Sequence, residues 1–171
     1  MLQDDLAARA QRIRVVAFDV DGVCTDGKLY YGEHGEVLHA FFARDGLGMG
    51  IARRAGLILV AVSGRTSTHV EARLRELKVP HVLQGVKKKD EALERVLGEL
   101  GATWAETAFI GDDINDVPPM KKAGLACCVP DAADDVAAAA HFVTRRPGGR
   151  GALRELLEVV LRAQGRWPTS G

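Results

Sequence analysis

The sequence lacks an excess of charge of either sign, because its 171 residues include 23 Lys plus Arg and 23 Asp plus Glu. Without a basic surplus the chain has no electrostatic field for nucleic acid, so we expect no nucleic-acid partner. It also lacks an apolar run near the roughly 20 residues that a membrane-spanning helix needs. The charged start, MLQDDLAARAQRIR, has no apolar stretch typical of a secretory signal. These absences predict a soluble cytoplasmic protein with no membrane partner.

Cysteines are also few, namely Cys24, Cys127 and Cys128. Their number is odd, and no Cys-x-x-Cys or Cys/His spacing typical of a zinc site is present. Free cysteine commonly behaves as a small buried hydrophobic residue, so we interpret all three as reduced core residues. Cys24 lies beside the first acidic motif described below, but the sequence requires no chemical role for it.

Apolar runs of strand length alternate with helical patterns along the chain. The predicted strands span 15–18, 57–62, 81–83, 107–110, 125–129 and 141–143. The predicted helices begin at about residue 4 and then span 46–55, 67–77, 89–100, 116–123, 134–140 and 151–163. Continuous apolar strands that alternate with helices predict an α/β fold with a parallel sheet covered on both faces. The length predicts a single domain, 1–171, with a frayed tail at about 164–171.

One segment, at about 28–42, interrupts this alternation just after the first strand. Two short strands around a turn that contains Gly32 and Gly35 predict a β-hairpin insertion. The insertion is unusually rich in large apolar side chains: Leu29, Tyr30, Tyr31, Val37, Leu38, Phe41 and Phe42. An isolated hairpin is marginally stable in water, so these side chains should pack either between subunits or on their own domain.

Two acidic motifs each follow a predicted strand. The first is Asp19-Val20-Asp21-Gly22, and the second is Gly111-Asp112-Asp113-Ile114-Asn115-Asp116. Ligands bind at the carboxyl ends of strands in open α/β sheets, so the two motifs should meet in one crevice. Repelling carboxylates there need compensation, which a divalent cation with oxygen ligands supplies. Taken alone, the first motif also fits an ordinary acidic turn, and Asp116 also fits a helix N-cap.

Two weaker motifs lie between the acidic ones. The segment Ser63-Gly64-Arg65 opens a helix, where a hydroxyl, a glycine and a helix N-terminus suit an anion. By itself it fits an N-cap turn equally well. The run Lys87-Lys88-Lys89 precedes another helix and fits a solvated basic turn, although beside the acids one lysine becomes a candidate phosphate ligand.

The order DxDG, SGR, Lys and GDDxxD, with each motif after a strand, resembles the haloacid dehalogenase-like phosphohydrolase superfamily over about 14–165. The resemblance implies a three-layer Rossmann-like fold and a Mg²⁺-dependent aspartyl-phosphate mechanism. It implies these roles: Asp19 as nucleophile, Asp21 as general acid/base, Asp19, Asp21 and Asp112 as metal ligands, Asp113 and Asp116 as supporting acids, and Ser63 and Lys89 as phosphoryl-binding groups.

The gaps between the motifs leave no room for the cap domain that covers the active site in many relatives. The stretches 25–36, 41–49, 63–65 and 148–152 resemble the capless 3-deoxy-D-manno-octulosonate 8-phosphate (KDO 8-phosphate) phosphatases. That family consists of homotetramers that act in lipopolysaccharide precursor synthesis. The resemblance implies a small phosphorylated sugar acid as partner, and substrate contacts from these residues: Arg44, Asp45, Gly46, Gly64, Arg65, Arg73, Lys89 and Arg150.

The sequence therefore predicts a Mg²⁺-dependent phosphatase that converts KDO 8-phosphate to KDO and phosphate. The same module occurs in nonulosonate (sialic-acid-type) 9-phosphate phosphatases, although Arg65 favours the octulosonate. A non-catalytic regulatory or assembly module is the alternative from another class, and the complete set of acids, Ser63 and Lys89 argues against it. Without a cap, we expect a homotetramer whose active sites are completed across an interface. Arg150, in a glycine-rich segment that is flexible by composition, would reach a neighbouring site.

Overall fold

The protein is described by a computed structural model, which covers residues 2–168. The strands within that range are β1 (Val15–Phe18), β2 (Tyr30–Gly32), β3 (Gly35–Leu38), β4 (Ile58–Val62), β5 (His81–Leu83), β6 (Thr107–Gly111), β7 (Leu125–Cys128) and β8 (Phe142–Val143). The helices are α1 (Leu2–Gln11), α2 (Ala43–Arg54), α3 (Thr68–Glu76), α4 (Lys89–Leu100), α5 (Val117–Lys122), α6 (Asp134–Ala139) and α7 (Ala152–Ala163). The predicted alternation of strands and helices is confirmed.

Six of the strands form one parallel sheet in the order β5-β4-β1-β6-β7-β8. Strand β1 lies inside the sheet, with Val15 opposite Ile58 of β4 on one side and Thr107 of β6 on the other. Because all strands run the same way, the segments after β1, β4 and β6 leave the sheet at the same edge. The motifs that carry the candidate chemistry occupy these three segments.

Side chains on opposite faces of the sheet belong to two separate hydrophobic clusters. In β1, Val16 and Phe18 contact the cluster that includes residues of α2, α3 and α7, while Val15 and Ala17 contact the cluster that includes residues of α4 and α5. Every β1 residue is buried, as expected for a parallel strand covered on both sides. The structure is therefore a three-layer α/β fold of the Rossmann-like type, without a cap domain, as predicted.

Strands β2 and β3 form the predicted antiparallel hairpin, apart from the main sheet, with Tyr31 opposite Glu36. Large apolar side chains remain exposed along it, namely Leu29, Tyr30, Tyr31, Val37 and Leu38. Burial of such groups is the main source of stability in folding and association. Within one chain these side chains gain little from packing.

Helix α7 has a strongly apolar face and ends at Ala163. The predicted frayed tail begins directly after it, yet the side-chain amide of Gln164 donates to the carbonyls of Ala10 and Ile13, at 3.1 and 2.7 Å. The ring of Trp167 lies 4.4 Å from the guanidinium carbon of Arg154. The start of this segment thus contacts the body of the fold, and 169–171 lie outside the described residues. Over the described range, no helix is both long and apolar enough to cross a membrane.

Candidate active site

A polar pocket of about 220 Å³ opens at the carboxyl edge of the sheet. It is lined by Asp19, Asp21, Gly27, Gly64, Arg65, Asp112, Asp113 and Asn115. The two acidic motifs and the Ser63-Gly64-Arg65 segment therefore meet, as the order of the strands predicted. Asn115 was not among the predicted site residues, although it lies within the second acidic motif, and the structure adds it to the pocket lining.

Asp19 follows β1 directly and is only 6% exposed. The backbone N–H of Val20 donates to its Oδ1 at 2.7 Å, and Nζ of Lys89 lies 2.9 Å from its Oδ2. Lys89 begins α4, is 1% exposed, and also donates to Oδ1 of Asp116 at 2.7 Å. The structure thus selects Lys89 from the three lysines of the run, because Lys88 instead pairs with Glu91 at the surface.

Asp116 is fully buried and holds the second acidic loop in shape. Its Oδ2 accepts the backbone N–H groups of Asp112 and Asp113, at 3.0 and 3.3 Å. A side chain at Gly111 would overlap the Asp116 side chain, so glycine is required there. Asp113 is exposed and caps a short 3-10 turn by accepting the N–H of Ile114 at 2.7 Å. Asp116 and Asp113 therefore shape the loop that presents Asp112.

Glycine also allows the two acidic loops to approach each other. Gly22 has a φ of +83°, and a Cβ there would overlap the carboxylate of Asp112. Gly148 packs equally closely against the Gly22 carbonyl, and the N–H of Gly149 donates to the carbonyl of Val23 at 3.0 Å. The expectation that the glycine-rich segment is flexible by composition is therefore wrong for its first two residues. Gly148 and Gly149 instead allow this segment to pack closely on the first acidic loop.

Three carboxylates crowd this pocket against a single ammonium group. Oxygens of Asp19, Asp112 and Asp116 all lie within 4.8 Å of one another. Burial, followed by repulsion from Asp116, raises the pKa of Asp19 to about 7. Burial, followed by repulsion from Asp19, raises the pKa of Asp112 to about 8, and Lys89 only partly opposes both shifts. Clustered oxygen donors whose ionisation is this costly fit a hard divalent cation such as Mg²⁺.

The side chain of Asp21 belongs to a hydrogen-bond network that was not predicted from the sequence. Its Oδ1 lies 3.2 Å from Nε2 of His39 and 3.4 Å from Nη1 of Arg65. Nη2 of Arg65 donates to Oε1 of Glu36 at 2.8 Å. Glu36 is in β3 and His39 follows it, so the hairpin contacts Asp21 and Arg65, which line the pocket. In the sequence, the only signal for these contacts was the position of the hairpin immediately after the first acidic motif.

Ser63 is buried and does not itself line the pocket. Its Oγ accepts the backbone N–H of Arg65 at 3.2 Å, which fixes the turn that presents Gly64 and Arg65 to the pocket. Gly64 lies beside Asn115, where a Cβ would make ordinary contact with Nδ2 of Asn115 at 3.5 Å.

Five predicted substrate contacts lie outside the pocket within one chain, namely Arg44, Asp45, Gly46, Arg73 and Arg150. Arg44 lines a different cleft, of about 260 Å³, together with Arg154. Gly46 packs against Arg73, which pairs with Glu76 at 2.9 Å.

Asp45 is buried, and its Oδ1 accepts the N–H of Arg154 at 2.8 Å. Its carboxylate therefore caps the start of α7 instead of facing a ligand. Arg150 is exposed beside the packed glycines.

Comparison with known proteins identifies the chain's family. A sequence profile described as haloacid dehalogenase-like hydrolase matches residues 78–155. The 3-deoxy-D-manno-octulosonate 8-phosphate phosphatase of Escherichia coli strain K12 is 40% identical over 162 residues, which are 95% of this chain and 86% of the relative. The chain belongs to the KDO 8-phosphate phosphatase family. The resemblance read from the motifs is confirmed.

Solved structures of this family have the same architecture. The KDO 8-phosphate phosphatase of Moraxella catarrhalis, solved with magnesium ion, phosphate ion and KDO, superposes with a TM-score of 0.92 at 35% identity, covering 95% of this chain and 93% of that one. The cobalt-bound form of the Haemophilus influenzae enzyme gives a TM-score of 0.89 at 36% identity, covering 92% of each chain. The three-layer fold without a cap is therefore a property of the family.

Proposed function

We propose that the protein is a phosphoric monoester hydrolase that converts KDO 8-phosphate to KDO and phosphate. One observation carries the proposal: Asp19 and Asp112 face a common pocket, with buried Lys89 bridging Asp19 and Asp116. This arrangement suits phosphoryl transfer, and the chain is 40% identical to a phosphatase named for that substrate. A non-catalytic module would need no such cluster of repelling buried acids.

The donor set also supports Mg²⁺ as the cofactor. We propose that the carboxylates of Asp19 and Asp112 and the backbone carbonyl of Asp21 hold the ion. Asp116 is the less suitable ligand, because both of its oxygens are already engaged by Lys89 and by backbone N–H groups. When bound, Mg²⁺ supplies positive charge that screens the repulsion between the carboxylates and the phosphate. A relative of this family was solved with magnesium ion and phosphate ion.

The residues of the chain then divide the reaction into two steps. In the first, a carboxylate oxygen of Asp19 bonds to phosphorus while the bond from phosphorus to the sugar oxygen breaks, and Asp21 donates the proton that this oxygen needs. In the second, Asp21 takes a proton from water, which attacks phosphorus and releases Asp19 and phosphate. Lys89 stabilises charge on the phosphoryl oxygens, and the turn held by Ser63 supplies further donors.

Arg65 is the substrate contact that the geometry supports best. Its guanidinium lies at the pocket wall and is oriented by Glu36, where it can pair with the carboxylate of a sugar acid. Gly64 and Lys89 are also at or beside the pocket.

Contacts from Arg44, Asp45, Gly46 and Arg73 have no support within one chain. We propose that Arg150 serves the pocket of a neighbouring subunit, because it is exposed and extends from a segment packed on the acidic loop.

The exposed apolar hairpin supports assembly as a homotetramer with active sites completed between subunits. A small substrate in an uncapped pocket needs such cover to exclude water. We further propose that the protein acts in the cytoplasm, in lipopolysaccharide precursor synthesis. Its three cysteines, Cys24, Cys127 and Cys128, are free and buried, which fits a reducing compartment.

A phosphate-release assay with two substrates tests this function. The purified protein with Mg²⁺ is supplied with KDO 8-phosphate and, separately, with a nonulosonate 9-phosphate. We expect a kcat/KM at least about tenfold higher for KDO 8-phosphate, which is about 1.4 kcal/mol of discrimination. A preference for the nonulosonate would transfer the proposal to that sugar acid. No release from either ester would contradict the hydrolase itself.

A further inference from the structure

A second group of metal-binding side chains lies where the hairpin meets α3, outside the acidic pocket. It consists of Glu36 in β3, His39 just after β3 and His69 in the first turn of α3. Nδ1 of His39 and Nδ1 of His69 lie 3.3 and 3.9 Å from Oε2 of Glu36. The hydroxyl of Ser67 donates to the same oxygen at 2.8 Å. Four polar groups from two elements therefore converge on one point.

Each ring nitrogen of His39 lies close to a carboxylate oxygen, and the Ser67 hydroxyl is a further, more distant neighbour of Nδ1 at 3.4 Å. Its Nε2 faces Oδ1 of Asp21 at 3.2 Å, and its Nδ1 faces Oε2 of Glu36 at 3.3 Å. In its neutral form an imidazole carries a single N–H, so the lone pair of the other nitrogen would face and repel a carboxylate oxygen. This ring is only 1% exposed, and water cannot relieve the repulsion. A cation between His39 and Glu36 would remove it.

The orientation of His39 matches that of a metal ligand. Histidines that bind metals usually donate their other N–H to a carboxylate, which fixes the tautomer. Here Asp21 is placed to accept the Nε2–H, which leaves the Nδ1 lone pair directed at Glu36 and His69. In a tetrahedral site with bonds near 2 Å, neighbouring ligand atoms lie about 3.3 Å apart. Nδ1 of His39 and Oε2 of Glu36 already have that separation. Nδ1 of His69 lies 3.9 Å from Oε2, and because the His69 side chain is 42% exposed it has room to move closer.

The charges around the group favour a cation. Glu36 and Asp21 bring two negative charges, and Arg65 brings one positive charge. Arg65 contacts Oε1 of Glu36 at 2.8 Å, so the neighbours of Oε2 are the Ser67 hydroxyl and the two histidines. Two imidazoles and a carboxylate suit Zn²⁺ or Co²⁺, whereas Mg²⁺ prefers oxygen ligands alone. The two sites would therefore bind different metal ions, because their ligand atoms differ.

We propose that Glu36, His39 and His69 form a binding site for a transition-metal ion of the Zn²⁺ type, which ties the hairpin to α3. The site takes Nδ1 of both histidines and Oε2 of Glu36, with a water in the fourth position. It does not depend on the reaction assigned to the acidic pocket. It lies directly behind Asp21 and Arg65, so an ion there would also fix the two side chains that the hairpin holds.

Zinc stoichiometry in the presence of excess Mg²⁺ tests the site. The Asp112→Ala variant, whose acidic pocket is weakened, is titrated with Zn²⁺ by calorimetry, and bound metal is counted after desalting. We expect one Zn²⁺ per chain in Asp112→Ala and none when His69→Ala is added. Adding His34→Ala instead should leave the zinc bound, because His34 lies exposed in the hairpin turn away from the group. Co²⁺ should give the visible absorption of a tetrahedral nitrogen and oxygen site only where His69 is present.

Two results would overturn the proposal. One is zinc that stays bound in the Asp112→Ala/His69→Ala double variant, since the ion would then lie elsewhere. The other is an Asp112→Ala variant that binds no zinc, which would leave His39 as a hydrogen-bonded link between Asp21 and Glu36 without a metal. Because His69 is exposed on α3, its replacement should leave the far-ultraviolet circular dichroism unchanged, and that spectrum checks the fold.

Discussion

The acidic pocket and the hairpin meet at Asp21, but their residues are held in opposite ways. In the pocket, Asp19, Lys89 and Asp116 are buried at the ends of strands and helices whose positions the sheet determines. On the hairpin, Tyr31 and Leu38 are more than half exposed and have no comparable support within one chain. From this difference we expect the pocket to carry the chemistry and the hairpin to gain stability from contact with another surface.

The two regions also bear different electrostatic costs. In the pocket, burial and repulsion raise the pKa of Asp19 and Asp112 far above that of a free carboxyl, and only a cation would offset this. On the hairpin, burial raises the pKa of Glu36, but hydrogen bonds from Arg65 and Ser67 outweigh it, so that this pKa lies below its usual value. Replacements in the pocket should therefore abolish function while sparing the fold, and replacements on the hairpin should change assembly or substrate binding.

The largest effect is expected from Asp19→Asn. The amide has almost the same shape but is a poor nucleophile, so kcat should fall by at least roughly 10⁴-fold. The melting temperature should not fall, because one of three crowded charges is removed. Phosphate release and thermal unfolding measure the two effects. Asp135→Asn is the matched control, since this exposed acid lies in the first turn of α6, outside the pocket. Appreciable turnover by pure Asp19→Asn would rule out the aspartyl-phosphate mechanism.

The next effect concerns the metal. A chelator should stop the reaction and Mg²⁺ should restore it, because Asp19 and Asp112 cannot both remain ionised beside phosphate without added positive charge. Asp112→Ala should raise the Mg²⁺ concentration for half-maximal activity by more than about 100-fold. Titration of activity with Mg²⁺ in both proteins measures this. Activity that persists in excess chelator would contradict the assignment of the acidic pocket.

The pocket could be predicted from the sequence because its residues lie directly after strands. Asp19 and Asp112 belong to segments that leave neighbouring parallel strands, so their contact follows from the strand order. The contacts of Glu36 with Arg65 and of His39 with Asp21 could not be predicted. They span 29 and 18 positions and depend on the angle at which the hairpin leaves the sheet, which no periodic pattern encodes.

Asp45 shows a second limit of the sequence. Its motif resembles a substrate-binding segment, yet in the structure its carboxylate accepts the N–H of Arg154, 109 positions away, at the start of α7. Helix α2 begins at Ala43, three residues earlier than predicted, so Asp45 lies inside the helix. Only the packing of α2 against α7 shows that this acid is buried.

The third effect, on assembly, is expected from changes to the hairpin. Replacing Tyr31 and Leu38 together by Ser removes exposed apolar area that we expect to be buried between subunits. Light scattering should show dissociation of the tetramer, and activity should fall about tenfold or more as the pockets lose their cover. Val143→Thr is the control, because Val143 is similarly exposed but lies on the edge strand β8. A fully active monomer of the unaltered protein would contradict both the assembly and the shared active site.

A smaller effect is expected where the two regions touch. Glu36→Gln keeps the size of the side chain but removes the charge that orients Arg65. With Mg²⁺ alone present, KM for KDO 8-phosphate should rise about tenfold while kcat changes by less than about threefold. Steady-state kinetics measures the two constants, and Glu33→Gln in the exposed turn serves as control. A loss confined to kcat would show that Glu36 acts on Asp21 or Asp19 and not on substrate binding.

The smallest effect is expected at Asp45, a buried acid that belongs to neither the pocket nor the hairpin. Its replacement tests how burial of a charge changes stability, separately from catalysis. Burial raises the pKa of Asp45 to about 6, against 3.8 for the free group. The folded protein therefore binds this proton more tightly than the unfolded chain, and stability falls as pH rises from about 4 to about 6. Asp45→Asn keeps an oxygen for the N–H of Arg154 but loses the buried charge. Its free energy of unfolding at pH 7 should increase by up to about 3 kcal/mol.

Denaturant unfolding of Asp45→Asn at pH 4 and pH 7 measures this gain, which should be near zero at pH 4, where the carboxyl of the unaltered protein is protonated in the folded state. Asp134→Asn is the matched control, because Asp134 is an exposed acid in the first turn of α6. An equal gain at both pH values would mean that the amide stabilises α7 through its hydrogen bond and not through loss of charge. A loss of stability at pH 7 would mean that the dipole of α7 outweighs the cost of burial, so that Asp45, unlike Asp19, has its charge matched by its surroundings.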